Sequence, residues 1–338
     1  MVKRNIMGAC LIVAALALAS GLPGCARSTP VWNNHPGGPP RVVVTIPALD
    51  NFVRNVGGKH VAVVCLCTTQ GPHHYQYDAE DAMLLRQADL FFAIGLTLDE
   101  KFADPIQIES HNAHLQYVKL GERLPKKLLL ANREEHEHEH GKEEEGHEHG
   151  HDHEHGANDP HVWLGIEQAK AMVEIIRDEL KKADPKHEAD YDKNAKSYLK
   201  QLDKLLAYGK KQLEGKKDRK IIAFHESLGY FAKSFDLNIV DVIEVAPGSE
   251  AAGPHLTKLA DKCKKENVRV IAVEPQYPQE SSAKVLKEHN KDLELVVVDP
   301  LETADKNDLA KDGKELQNQD WYDKKMKQNL DNLAKALR

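Results

Sequence analysis

Residues 134–155 read EEHEHEHGKEEEGHEHGHDHEH and hold eight of the chain's nineteen histidines beside ten acidic residues. Imidazole and carboxylate groups both bind divalent cations, so the tract draws attention first. Two stretches match the zinc-protease pattern HExxH: His136-Glu137-x-x-His140 and His147-Glu148-x-x-His151. That pattern works when a packed helix holds both histidines on one face, with the Glu as base. A packed helix needs an apolar stripe, and no aliphatic or aromatic residue occurs between 134 and 155. Alternation of His and Glu also produces HExxH by repetition alone. The tract is internal and mixed with Glu, unlike a terminal affinity tag. Its composition predicts a solvated, disordered loop that attracts metal weakly at His136, His138, His140, His147, His149, His151, His153 and His155.

A length of 338 residues allows two ordinary domains. A hydrophobic content of 41% and a charged content of 29% suit a soluble globular protein. The formal charge of −7 shows no basic excess, which argues against nucleic acid as a partner and favours cations.

The first residues read as an export signal. Lys3 and Arg4 precede the short apolar run IMGACLIVAALALA at 6–19, too short to span a bilayer comfortably. The run leads to Leu22-Pro23-Gly24-Cys25, which resembles a bacterial lipobox, although Pro23 is an unusual occupant. The resemblance implies cleavage before Cys25, lipidation of that residue, and an extracytoplasmic protein anchored to a membrane. The Pro/Gly-rich stretch 26–40 then reads as a tether. With Cys10 removed and Cys25 lipidated, Cys65, Cys67 and Cys263 remain, an odd number that leaves no complete disulfide framework. Cys65 and Cys67 alternate on a strand-like run and read as buried strand residues rather than a soft metal site.

The elements come next. RVVVTI (41–46), VAVVCLC (61–67), ADLFFAI (88–94) and LQYVKL (115–120) read as buried strands, with helical patterns between them, for example over 78–87. Two long helices follow. Ile166–Lys182 carries Ala169, Val173, Ile176 and Leu180 on one stripe, and Asp184-Pro185 starts a second helix over about 186–214. The second stripe is Tyr191, Ala195, Tyr198, Leu202, Leu205 and Leu213. Strands resume at KIIAF (220–224), NIVDVI (238–243), VRVIAVE (268–274) and LELVVVD (293–299), with helices at about 226–235, 255–267, 279–290 and 320–337. The expected fold is α/β: two lobes with parallel sheets joined by a long rigid helix, and a metal site in the cleft between them. The expected divisions are a signal at 1–25, a tether at 26–40, a first lobe at 41–162 containing the 131–158 loop, a helical brace at 163–217 and a second lobe at 218–338.

Ligands in open α/β sheets bind just beyond the carboxyl ends of the strands. His73 and His74 follow the second strand, His225 follows KIIAF, Asp299 follows LELVVV, and His161 lies between the loop and the first long helix. Three imidazoles and one carboxylate suit tetrahedral Zn²⁺ at about 2.0–2.2 Å. Each residue also has an ordinary reading. A His at a strand end is commonly a hydrogen-bonded surface residue, and an Asp before Pro is ordinarily a turn or cap residue.

With these residues in view, the chain resembles the ZnuA-like substrate-binding lipoproteins of zinc/manganese ABC importers. The resemblance runs from about residue 41 to the C-terminus. It rests on Pro72-His73-x-Tyr75, Asp159-Pro160-His161-Val162-Trp163-Leu164, Phe224-His225 with Gly229-Tyr230-Phe231-Ala232, Val273-Glu274-Pro275-Gln276 and Val298-Asp299-Pro300-Leu301. It implies His73, His161, His225 and Asp299 as ligands. Two positions depart from the family pattern: Gly71, where an Asp is usual, and Gly165, where an Asp is frequent. Glu226, Glu250 and His255 are candidates to support the ligands without touching the cation.

The function so implied is extracytoplasmic, high-affinity Zn²⁺ binding by a monomer that delivers its cargo to an ABC permease. A third histidine favours zinc over manganese, because Mn²⁺ prefers oxygen ligands. The rival readings are a manganese importer component, a zinc chaperone or buffer, an adhesin on the same fold, and a secreted zinc hydrolase. The hydrolase would need an open metal position, with Glu226 near a water. Histidine ligation predicts weaker binding as pH falls through about 6.5.

Overall fold

Every strand-like run forms a strand. Arg41–Val44 (β1), Ala62–Cys65 (β2), Leu90–Ala93 (β3) and Gln116–Lys119 (β4) make one parallel sheet in the order β2-β1-β3-β4. Lys220–Ala223 (β5), Asn238–Val242 (β6), Val270–Val273 (β7) and Glu294–Val297 (β8) make a second parallel sheet in the order β6-β5-β7-β8. The burial follows the sequence pattern. β3 (LFFA) and β7 (VIAV) are apolar and buried throughout, as inner strands covered on both faces must be. The edge strands β4 (QYVK) and β8 (ELVV) alternate and expose their ends. The structure is a computed structural model that describes residue 32 and residues 38–132, 157–244, 253–276, 282–311 and 313–338.

Helices cover the sheets. Pro47–Gly57 (α1), Ala79–Arg86 (α2) and Glu100–Glu109 (α3) pack in the first lobe. α2 begins at Asp78, whose carboxylate accepts the Glu80 and Asp81 amides at 2.8 and 3.1 Å. Ile166–Ala183 (α4) and Glu188–Gln212 (α5) form the brace. Their apolar stripes are buried: Ala169, Val173, Ile176 and Leu180 on α4, and Tyr191, Ala195, Tyr198, Leu202 and Leu205 on α5. At about 1.5 Å per residue, α5 is long enough to touch both lobes. Its first half holds α1, through Asn194 on the Val56 carbonyl (3.0 Å) and Tyr198 on Asn51 (3.1 Å). Its second half lies on the second lobe, where Tyr208 donates to Asp331 at 2.6 Å. The remaining helices are Gly229–Phe235 (α6), Gly253–Glu266 (α7), Ser282–His289 (α8) and Trp321–Ala336 (α9). Among the described residues no helix is long and apolar enough to cross a membrane.

One path differs from the expected division into lobes. The chain between β8 and α9 runs back over the first lobe. The Ala304 amide donates to the Thr68 carbonyl at 2.7 Å, and the Cys65 amide to the Lys314 carbonyl at 3.0 Å. Asn51 donates to the Gln319 carbonyl at 3.0 Å, and Lys314 pairs with Glu80 at 2.9 Å. Residues 304–311 and 313–319 therefore act as a strap between the lobes, and residues 35–338 cluster as one unit. Cys65, Cys67 and Cys263 are buried free thiols.

Candidate metal centre

In both sheets the connections leave the first strand in opposite directions, so each sheet has a switch point beside that strand. Crevices open there beyond the carboxyl ends. His225 lies just past β5, and Glu274 directly follows β7, across the switch point. His73 sits on the short turn Pro72–His74 after β2, and His161 precedes the turn Val162–Leu164 that leads into α4. Glu302 follows β8 on the way into the strap.

These elements bring four side chains together. The ligand-capable atoms of His73, His161, His225 and Glu302 all lie within 4.8 Å of one another. Glu302 Oε1 is 3.5 Å from His73 Nε2, 3.5 Å from His161 Nε2 and 3.4 Å from His225 Nε2. Such contacts are too long for good hydrogen bonds. His73 Nε2, His161 Nε2 and both Glu302 oxygens are buried without a hydrogen-bond partner among the described residues. Buried polar atoms are normally satisfied, so atoms left converging on one point mark a place for a charged guest. Glu302 Oε1 thus stands almost equidistant from the three Nε2 atoms, and four nitrogen and oxygen donors this close together suit a single small divalent cation.

The rings are aimed by acids behind them. Asp159 Oδ1 takes the His161 amide at 2.9 Å and faces His161 Nδ1 at 2.8 Å. Glu274 Oε1 faces His225 Nδ1 at 2.5 Å, and Gln276 donates to the other Glu274 oxygen at 3.0 Å. An acid on Nδ1 turns Nε2 toward the cation and makes it more basic. Gly229 leaves room for this arrangement, since a Cβ there would meet Asp159 Oδ2 at 2.7 Å. The Tyr230 hydroxyl donates to the Asp159 carbonyl at 2.9 Å and accepts the Leu130 amide at 3.0 Å.

Burial and charge compete at the cluster. Burial opposes charging of His161, but Asp159 and Glu302 outweigh it and hold the ring up at about 9. Burial likewise opposes charging of His225, but Glu274 and Glu302 outweigh it and hold that ring up at about 10. His73 lacks such an acid partner, and burial lowers its basicity despite Glu302. Burial would raise the Glu302 carboxyl, but the surrounding imidazoles hold it well below the usual carboxylate range.

The structure thus brings together His73, His161 and His225, and the carboxylate among them is Glu302 rather than Asp299. Asp299 is buried a short distance away. Its Oδ1 accepts the Leu301 amide at 2.8 Å, and its main chain is held at both ends by the Asn329 side chain, at 2.8 and 2.7 Å. It caps a turn, the ordinary role of an Asp before Pro. The turn places Leu301 at φ 58° and carries Glu302 inward. The signal for Glu302 lay one residue past the quoted Val298-Asp299-Pro300-Leu301.

Glu226 is half-buried and lines a cavity of about 450 Å³ beside Asp159 and Gly229, outside the cluster. The His255 ring faces the Val242 carbonyl at 3.2 Å and is not part of the cluster. His74 is exposed. Glu250, Cys25 and the eight tract histidines lie outside the described residues. The two glycine departures differ in their surroundings. A Cβ at Gly71 would lie 3.4 Å from Glu302 Oε2, an ordinary contact, so an acid there would stand beside the Glu302 carboxylate. A Cβ at Gly165 would meet Gln168 Oε1 at 2.1 Å and Tyr230 Cβ at 2.9 Å.

Known proteins share this sequence and architecture. The chain is 29% identical to "High-affinity zinc uptake system protein ZnuA" of Bacillus subtilis, over 98% of this chain and 96% of that protein. It is 25% identical to "Manganese ABC transporter substrate-binding lipoprotein PsaA" of Streptococcus anginosus, over 88% of this chain and 89% of that protein. Among solved structures, FpvC of Pseudomonas aeruginosa in complex with Mn²⁺ shares the fold, with a TM-score of 0.71 and 24% identity over 88% of this chain and 98% of that one. The family model described as "Zinc-uptake complex component A periplasmic" matches residues 42–336, and the chain belongs to this ZnuA family of metal-binding proteins.

Proposed function

We propose that the protein is the extracytoplasmic, lipid-anchored binding component of an ABC importer, and that its cargo is Zn²⁺ held by His73, His161, His225 and Glu302. The observation that carries this reading is the convergence of three Nε2 atoms on Glu302 Oε1 at 3.4–3.5 Å. Three imidazoles and one carboxylate favour zinc over manganese, which prefers an oxygen-rich shell. Four protein donors can fill the shell of a four-coordinate cation, which favours holding it over catalysis at an open position. The relatives named for zinc uptake and for manganese transport support a metal cargo.

The histidine tract supplies weak sites that raise the local cation concentration. The test is calorimetric titration of residues 26–338 with Zn²⁺ and with Mn²⁺, beside a His73, His161, His225 triple-alanine variant and a variant lacking 134–155. One tight Zn²⁺ lost only in the alanine variant, and weak sites lost only in the deletion, support the proposal. Tight zinc retained by the alanine variant overturns it. Tighter Mn²⁺ than Zn²⁺ moves the protein to the manganese reading.

A further inference from the structure

No regular element shapes the segment that carries Glu302. Leu301 occupies the left-handed region, φ 58°, with its side chain fully buried. A bulky residue stays there only when its surroundings hold it. Neutral contacts hold the near side: Trp163 Nε1 donates to the Pro300 carbonyl at 2.8 Å, and Asn329 and Thr68 bind the backbone of Asp299 and Ala304. Charge holds the far side. Lys325 Nζ, on α9, lies 2.7 Å from Asp305 Oδ2, 3.2 Å from Asp308 Oδ2 and 3.6 Å from Asp299 Oδ2. Trp321 Nε1 also donates to Asp308 Oδ2 at 3.0 Å. One ammonium thus meets three carboxylates, one before Glu302 and two after it.

We infer that Lys325 is a positioning residue for cargo binding. It ties Asp299 to Asp305 and Asp308 and so closes the segment into a loop whose inner turn delivers the Glu302 carboxylate to the imidazoles. The inference rests on reading the four-residue cluster as a cation site. Without Lys325 the three aspartates repel one another, and the loop that carries Glu302 is expected to loosen and withdraw it. The Lys325 side chain is only 15% exposed, so solvent screens these attractions less than those of a surface pair.

The test uses Lys325→Met, Lys325→Arg and Asp305→Asn in the full mature chain. Co²⁺ serves as a coloured probe, because four-coordinate Co²⁺ absorbs visible light far more strongly than the five- or six-coordinate ion. Lys325→Met is expected to weaken Zn²⁺ binding about tenfold to a hundredfold, mainly through faster dissociation. At saturation its Co²⁺ bands are expected to weaken and shift as water replaces Glu302. Lys325→Arg restores affinity and spectrum. Asp305→Asn changes a side chain that is 70% exposed, is expected to give a smaller loss in the same direction, and decides the matter if Lys325→Met does not fold. A purely structural role would lower the melting temperature and leave the saturated Co²⁺ spectrum unchanged. Wild-type affinity and spectrum in both Lys325→Met and Asp305→Asn overturn the inference. If the wild-type protein shows tight binding that Glu302→Gln removes, that failure belongs to Lys325 alone. If the wild-type chain binds no cation tightly, the cluster reading falls with it.

Discussion

The Asp299 carboxylate accepts the Leu301 amide at 2.8 Å, and the turn so formed sends the next side chain, Glu302, into the imidazole cluster. Two acids three positions apart therefore have separate tasks. Glu302→Gln removes the only carboxylate in the cluster and is expected to weaken Zn²⁺ binding by more than about a hundredfold. Asp299→Asn keeps an oxygen for the Leu301 amide and is expected to cost about tenfold or less. Calorimetric titration of both variants distinguishes the tasks, and the reverse ranking would return Asp299 to the ligand set.

The acids behind the rings are expected to matter without touching the cation. Glu274→Gln frees His225 Nδ1 from its carboxylate, and Asp159→Asn does the same for His161. Each substitution is expected to lower affinity about 10- to 100-fold while leaving the stoichiometry at one tight ion. Competition against a zinc chelator measures the loss, and unchanged affinity in both variants would remove the orienting role.

Cation uptake should expel protons. His161 and His225 are held up at about 9 and about 10, above the ordinary 6.5, by their acid partners, so both rings are expected to carry protons in the cation-free protein at neutral pH. A cation takes the neutral imidazole. Affinity is therefore expected to rise with pH through the neutral range, by up to about a hundredfold per unit while both protons are displaced. Calorimetry at pH 7 in buffers of different ionisation enthalpy should report close to two protons released per ion, and a release near zero would mean that the rings start neutral. The cation-free protein is expected to show the complementary trend. Its imidazolium contacts contribute stability that is fully present below pH 6.5 and is lost as pH rises through about 9 and 10.

Gly209 lies inside α5, where Ala is normally the better helix former by about 1 kcal/mol. In this helix the added Cβ would come 2.3 Å from Phe235 Cε1 and 2.9 Å from Leu330 Cδ1. Gly209→Ala is therefore expected to destabilise the fold by about 1–3 kcal/mol, because α5, α6 and α9 must separate. Urea unfolding of the variant gives the sign, and a gain in stability would show that the seam is softer than described.

The strands and the brace were legible because their signals are local. Short apolar runs such as LFFA and VIAV, set between helical patterns, read as buried strands, and the stripe from Tyr191 to Leu205 keeps helical spacing. The three histidines were legible because each stands at a strand end or beside a distinctive motif. Glu302 was not, because its place depends on a left-handed Leu301 and on contacts from Trp163 and Asn329, which lie far away in sequence. The strap was hidden for the same reason: a backbone bond from Cys65 to Lys314 has no periodicity to announce it.

That bond also sets a timetable. The amide of Cys65, at the edge of the first sheet, finds its acceptor only when residue 314 has been made, and Asn51 must wait for residue 319. The first lobe therefore cannot be finished while the ribosome is still at work on the second. A chain of this topology keeps those contacts open until nearly all of it has emerged, which penalises any truncation near its end.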